Sequence, residues 1–195
     1  MLNFDYHIGT EIFFGRGQLA KLPAAIRRHT DKVLLCYGGG SVKRTGLLAQ
    51  VQSALCEAGI SYVELAGVEP NPRTTTVDRG AALCRQHGLG GVLAVGGGST
   101  IDCAKVVAAA RFYSGPAWDL IERKAPVRQV LPVFSVLTLS ATGSEMDDVA
   151  VISNCRQAKS AALPTRPCAP WPACWTLPTP SPCPQTRRRP ARRTL

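Results

Sequence analysis

Two stretches carry residue types that could hold an anion. In AVGGGSTIDCAK, residues 94–105, an apolar run meets three glycines and then helix-forming residues. Glycines let backbone N–H groups converge on a ligand without interference from a Cβ, and a helix start adds the positive end of its dipole. A phosphate suits Gly97, Gly98 and Ser99 at such a place. Ser99 could cap the helix or donate to the same anion. Asp102, one turn further on, either stabilises the helix dipole or belongs to the site. In LTLSATGSE, residues 137–145, Thr138, Thr142 and Ser144 supply hydroxyls suited to ribose or phosphate oxygens. The glycine loop has neither the spacing of a P-loop nor that of the GxGxxG fingerprint. Alone it could be no more than a tight turn; a second donor-rich loop beside it makes a ligand site the better account.

The surrounding elements must bring these loops to one edge. KVLLCYGGG, GGVLAVGGGS and VLPVFSVLTLS are short, continuous apolar runs that close in glycine or hydroxyl residues. Such runs suit parallel strands buried on both faces. A strand or hairpin is expected over residues 4–14 and another strand at ISYVEL. Between them, QLAKLPAAIRRH reads as a helix despite Pro23, and LLAQVQSALCEAG places Leu47, Leu48, Val51 and Leu55 on one helical face up to Gly59. TTTVDRGAALCRQHG and TIDCAKVVAAARFY are further helices. Strand and helix alternate, so the fold class is α/β, a doubly wound and mostly parallel Rossmann-like sheet. Ligands of such sheets bind beyond the carboxyl ends of the strands, where the loops of interest lie.

The formal net charge of +10 suggests nucleic acid until it is located. Residues 155–195 hold eight Lys and Arg and no acid, leaving 15 basic and 13 acidic residues in 1–154. The body is therefore near neutral, and the basicity belongs to a proline-rich tail. Cys36, Cys56, Cys84 and Cys103 sit in or beside apolar runs at unrelated spacings and read as small core residues of a reducing cytoplasm. The start lacks the basic and apolar regions of a signal peptide, and no run reaches membrane-spanning length. A cytoplasmic protein is expected, with no membrane partner and no specific nucleic acid.

FGRG, YGGGSVKRTG, VEPNP, AVGGGSTIDCAKVVAAA and VLTLSATGSEMDDVAVISN occur in this order over residues 1–154. Together they resemble the N-terminal half of an iron-containing (group III) alcohol dehydrogenase, nearest the NADP(H)-dependent butanol dehydrogenase and aldehyde reductase branch. The resemblance implies a dinucleotide-binding domain over 1–154. Gly97, Gly98 and Ser99 would hold the pyrophosphate, Asp102 would lie beside the nicotinamide ribose, and Thr138 and Thr142 would line the adenosine half. Asn71 would face the cofactor too. Gly38, Gly39 and Ser41 stand in the turn where NAD-preferring relatives carry an acid, with Lys43 and Arg44 close behind. That favours NADP(H), with NAD(H) as the alternative. The resemblance also implies a homodimer through the N-terminal strands.

The family reaction passes hydride between nicotinamide and a primary alcohol or aldehyde, with a divalent metal, iron or zinc, polarising the oxygen. The implied metal ligands are one aspartate and three histidines from a helical C-terminal half. Here His7, His29 and His87 all precede residue 88, and nothing after Asp148 is acidic. No metal ligand and no catalytic residue is therefore assigned, the helical metal-binding domain is expected to be absent, and the chain is expected to be inactive.

The genetic code accounts for the tail. Read one nucleotide earlier, the codons of Cys174 and Trp175 give Leu, and those of Trp175 and Thr176 give Asp. Permitted bases elsewhere allow LDPTYTFTVPADQTAAGTAD over 174–194, similar to what the family carries at this distance. Residues 155–195 thus read as an out-of-frame, disordered Pro/Arg-rich tail, with the slip between 154 and 161. Two rival readings stay open: a nucleotide-binding or regulatory fragment that pairs with an intact subunit, and a basic RNA-associated protein acting through the tail.

Overall fold

The computed structural model describes residues 9–155, 159–164 and 173–176. Its main sheet has six strands in the order β1-β8-β5-β4-β2-β3, with every neighbouring pair parallel. These are β1 (Ile12–Phe14), β2 (Lys32–Gly38), β3 (Ser61–Val68), β4 (Gly91–Gly96), β5 (Val133–Leu137) and β8 (Ala173–Thr176). Every residue of β4 and β5 is buried, which is why these strands read as continuous apolar runs.

Alternate residues of β2, β4 and β5 feed two separate cores, as the strand period requires. Val33, Leu35 and Tyr37 of β2 pack with α1 (Leu22–Arg27) and α3 (Leu47–Glu57) on one face. Leu34 and Cys36 pack with α4 (Thr74–Gln86) and α5 (Gly98–Ala110) on the other. Helices on both faces make the sheet doubly wound, as expected. The chain moves outward from β2 to β3, then returns past β2 to form β4 and continues to β5. The direction of winding therefore reverses between β2 and β4, and the crevice at such a switch point is where doubly wound sheets bind ligands.

α5 is buried all round from Thr100 to Ala110. Its inner side lies on β4, while α4, α6 (Ala117–Ile121) and a two-stranded antiparallel ribbon cover the rest. The ribbon is β6 (Val149–Asn154) paired with β7 (Lys159–Pro164). Small residues allow this crowding. At Gly80 of α4, an added Cβ would lie 2.8 Å from both Leu65 Cδ2 and Val107 Cγ2. Pro23 stands in the first turn of α1 and separates it from a 3-10 turn at Gln18–Lys21, so the single helix expected there is two short pieces.

One expectation needs correction. Cys56 is exposed on the outer side of α3, whereas Cys36, Cys84 and Cys103 are buried as expected. Within 155–195 the described residues include two strands, Lys159–Pro164 and Ala173–Thr176, and the rest of the expected tail lies outside the described residues. The helix α6 and the ribbon were not foreseen. His7 and the arginine run at 187–189 lie outside the described residues.

Candidate dinucleotide cleft

The loops after β2, β3, β4 and β5 meet at the switch point and enclose a cleft of about 650 Å³. Gly96 pairs with Leu137, so the glycine loop and the hydroxyl loop leave the sheet side by side. Of the residues singled out from sequence, Gly38, Gly39, Asn71, Gly97, Gly98, Ser99, Asp102, Thr142 and Ser144 line this cleft. Ser41 and Thr138 do not. Ser41 starts the four-residue helix α2 (Ser41–Arg44) and faces solvent, while the Thr138 amide donates to the Gly96 carbonyl and merely extends the ladder.

The cap of α5 is Gly97 rather than Ser99. The Gly97 carbonyl accepts from the amides of Thr100 and Ile101 at 3.0 and 3.2 Å, and no side chain caps the helix. Ser99 lies inside the first turn. Helix geometry leaves the first-turn amides of Gly98 and Ser99 without an intrahelical acceptor, and they open on the cleft. An added Cβ at Gly97 would meet nothing within 4 Å, so this position is an empty cradle. At Gly98, by contrast, it would lie 2.9 Å from Thr142 Oγ1 and 3.0 Å from Ser144 Oγ. The two hydroxyls, 2.9 Å from each other, therefore close directly over the helix start.

Asn71 holds the left-handed conformation at the rim, with φ of 55°. Asparagine tolerates that region better than most residues, and such strain concentrates at binding sites. Glu69 beside it accepts from Thr76 Oγ1 at 2.9 Å.

Asp102 lies on the cleft wall, 9% exposed. Its Oδ2 accepts from the Val151 amide at 3.0 Å, while Oδ1 is buried without a hydrogen-bond partner among the described residues. Burial pushes its carboxyl pKa up; the Val151 amide, Lys105 and Ser144 oppose the shift. Sequence reading had passed over Val68, Glu69, Thr100, Leu139, Asp147, Val149 and Val151, which also line the cleft. Only the alternation of VAVISN gave any signal for the last two.

A metal does not fit these residues. Among those described, no three His, Cys, Asp or Glu side chains gather. Asp102 is engaged with the Val151 amide, and Asp147 pairs with Lys105 at 2.7 Å. The dinucleotide fits better: first-turn amides, an open glycine cradle and paired hydroxyls line the same cleft. No helix among the described residues is long and apolar enough to cross a membrane.

Comparison with known proteins gives the family. Residues 9–171 match the family model for iron-containing alcohol dehydrogenase. The chain is 51% identical over 154 residues to NADH-dependent butanol dehydrogenase A of Clostridium acetobutylicum, covering 79% of this chain and 40% of that protein. It is 43% identical over 156 residues to the NADPH-dependent aldehyde reductase YqhD of Escherichia coli, with 78% and 40% covered. The crystal structure of NADH-dependent butanol dehydrogenase A from Thermotoga maritima superposes with a TM-score of 0.82 at 40% identity, over 90% of this chain and 44% of that one. The chain thus spans about 40% of the length of these curated relatives. With a matching model over most of its length and a shared Rossmann-like sheet, it belongs to the iron-containing alcohol dehydrogenase family.

Proposed function

We propose that residues 1–154 supply the nicotinamide-dinucleotide half of a butanol dehydrogenase-like enzyme that interconverts primary alcohols and aldehydes. The observation that carries this reading is the open cradle at Gly97 beside the first-turn amides of α5, in the same cleft that Thr142 and Ser144 line. The pyrophosphate rests on the Gly98 and Ser99 amides. Thr142 and Ser144 donate to phosphate or ribose oxygens, and Asp102 stands at the nicotinamide-ribose side. Bound nicotinamide supplies or accepts the hydride. This chain's residues orient the dinucleotide; among the described residues no metal-ligand set gathers to polarise a carbonyl, and we read the chain alone as inactive.

Between the two cofactors we place NADP(H) first. The turn Gly38–Ser41 carries no carboxylate to repel a 2′-phosphate. Lys43 and Arg44 add cations beside it. The Arg44 guanidinium reaches back over Gly40, and Lys43 Nζ sits 5.2 Å from the centre of the Tyr37 ring. The NADH in the name of the 51% identical relative supports NAD(H) as the second reading. A second copy of the chain is the natural partner of edge strand β1, where Ile12 and Phe14 are 42% and 74% exposed.

Calorimetric titration of the full chain with NADPH and with NADH tests the proposal. The expected result is one site per chain with NADPH the tighter ligand; heat from neither refutes it. Butanal reduction by the purified chain with added iron or zinc would overturn the assignment of inactivity.

A further inference from the structure

Lys105 is 1% exposed on a helix that is otherwise apolar or small through its middle turns, and it does not line the cleft. Its ammonium reaches three oxygens of the chain segment entering β6. They are the Asp147 carbonyl at 2.8 Å, Asp147 Oδ1 at 2.7 Å and the Val149 carbonyl at 2.8 Å. An ammonium has three donors, and all three acceptors lie within its reach. One turn earlier on the same helix face, Asp102 Oδ2 accepts from the Val151 amide.

The two side chains thus engage alternate residues of one segment, which bends at Asp147 and Asp148 and runs as a strand from Val149. Lys105 takes the carbonyls of 147 and 149, and Asp102 takes the amide of 151. A neighbouring strand satisfies its partner in the same alternating way. Helix α5, which has no spare backbone groups along its middle, presents a cation and an anion in place of a strand edge. Further along, the Ser153 amide donates to the Pro72 carbonyl at 2.9 Å, so β6 is tied on to the loop after β3 as well. Asp147, Val149 and Val151 all face the cleft.

We infer that Asp102 and Lys105 are positioning residues that act as a side-chain surrogate for a missing strand, fixing the wall formed by residues 147–151 against the glycine loop. Its functional half rests on the dinucleotide reading of the cleft; its structural half does not. Asp102 therefore has a task that a ribose contact alone does not explain, and Lys105 acts on the ligand only through the wall that it holds.

The test uses the full chain with Lys105→Met, which keeps the length of the side chain and removes its donors. Two readouts separate the halves. Amide hydrogen exchange without ligand should show protection across 147–154 falling at least tenfold, with β2 and β4 unchanged. NADPH affinity by calorimetry should weaken at least tenfold. Unchanged exchange across 147–154 overturns the inference, as does a loss of protection spread equally over β2 and β4. If Lys105→Met does not fold, Asp147→Asn replaces it, since it touches a half-exposed side chain and leaves both carbonyl acceptors. It should lower protection in 147–154 severalfold and nowhere else, and no change there also overturns the inference. Should wild-type chain bind no NADPH while the local exchange effect appears, the cofactor reading fails and the strand surrogate stands.

Discussion

Replacing Gly97 by alanine separates binding from folding. Gly97 has φ of −92° and ψ of −170°, an extended conformation open to any residue, and its added Cβ meets no atom within 4 Å. The fold should therefore gain about 0.4–1 kcal/mol, because alanine restricts the unfolded chain. The methyl group does, however, occupy the cradle. If it prevents one charge-assisted bond between a first-turn amide and a phosphate, the loss is about 1.5–3 kcal/mol. At about 1.4 kcal/mol per tenfold, affinity falls roughly 10- to 150-fold. Calorimetry with NADPH and a thermal melt on the same sample give both numbers. The adjacent change, Gly98→Ala, must behave differently. Its Cβ would press on Thr142 Oγ1 and Ser144 Oγ, so overpacking of about 1–3 kcal/mol lowers the melting temperature as well as affinity. A Gly97→Ala variant that binds NADPH like wild type would refute the placement of the phosphates, and one that melts several degrees lower would refute the emptiness of the cradle.

Other consequences can be checked separately. Gly80→Ala should lower stability by about 1–3 kcal/mol, less the roughly 1 kcal/mol that alanine gains as a helix former, because its Cβ would meet Leu65 and Val107; urea unfolding reads this. Asp102→Asn should stabilise the chain more at about pH 7 than at about pH 4. The folded carboxyl has a raised pKa, so wild type is favoured while it is protonated and loses that advantage as pH climbs through the folded value. Melting both proteins across this range would show the gap widening upward, and a gap that narrows contradicts the shift. Resequencing the gene around codons 150–165 should reveal a single-base slip, and an unaltered frame would make residues 155–195 a genuine extension.

Much of the fold is legible because burial imposes simple patterns. The strands β2, β4 and β5 lie between two helical layers, so nearly every residue must be apolar, and such runs stand out. Helix α3 shows a clean face because only one side touches the sheet, and Leu47, Leu48, Val51 and Leu55 are buried as its spacing demands. Helix α5 is harder: with eleven consecutive residues buried, periodicity vanishes, and the meaning of Lys105 inside it depends on a partner 42 residues away. The ribbon was hidden for another reason. β6 alternates exposed and buried residues, a half-buried pattern that is weak over six positions, and β7 stands in a segment whose prolines argue against strands. Asp102 was found from its place in the first turns of α5, yet its bond to the Val151 amide has no sequence signature.

The position of β8 has a practical consequence. β1 reaches the sheet only through Ala173–Thr176, and the fully buried β5 has β8 on its outer side. Cutting the chain after residue 154 would detach the N-terminal strand and uncover the peptide groups of Val133–Leu137 along an apolar, charge-free border. Such a border invites other chains to add on, one after another. A shortened piece would then precipitate or polymerise at the sheet through this border, so insolubility of that piece would say nothing about the cradle at Gly97.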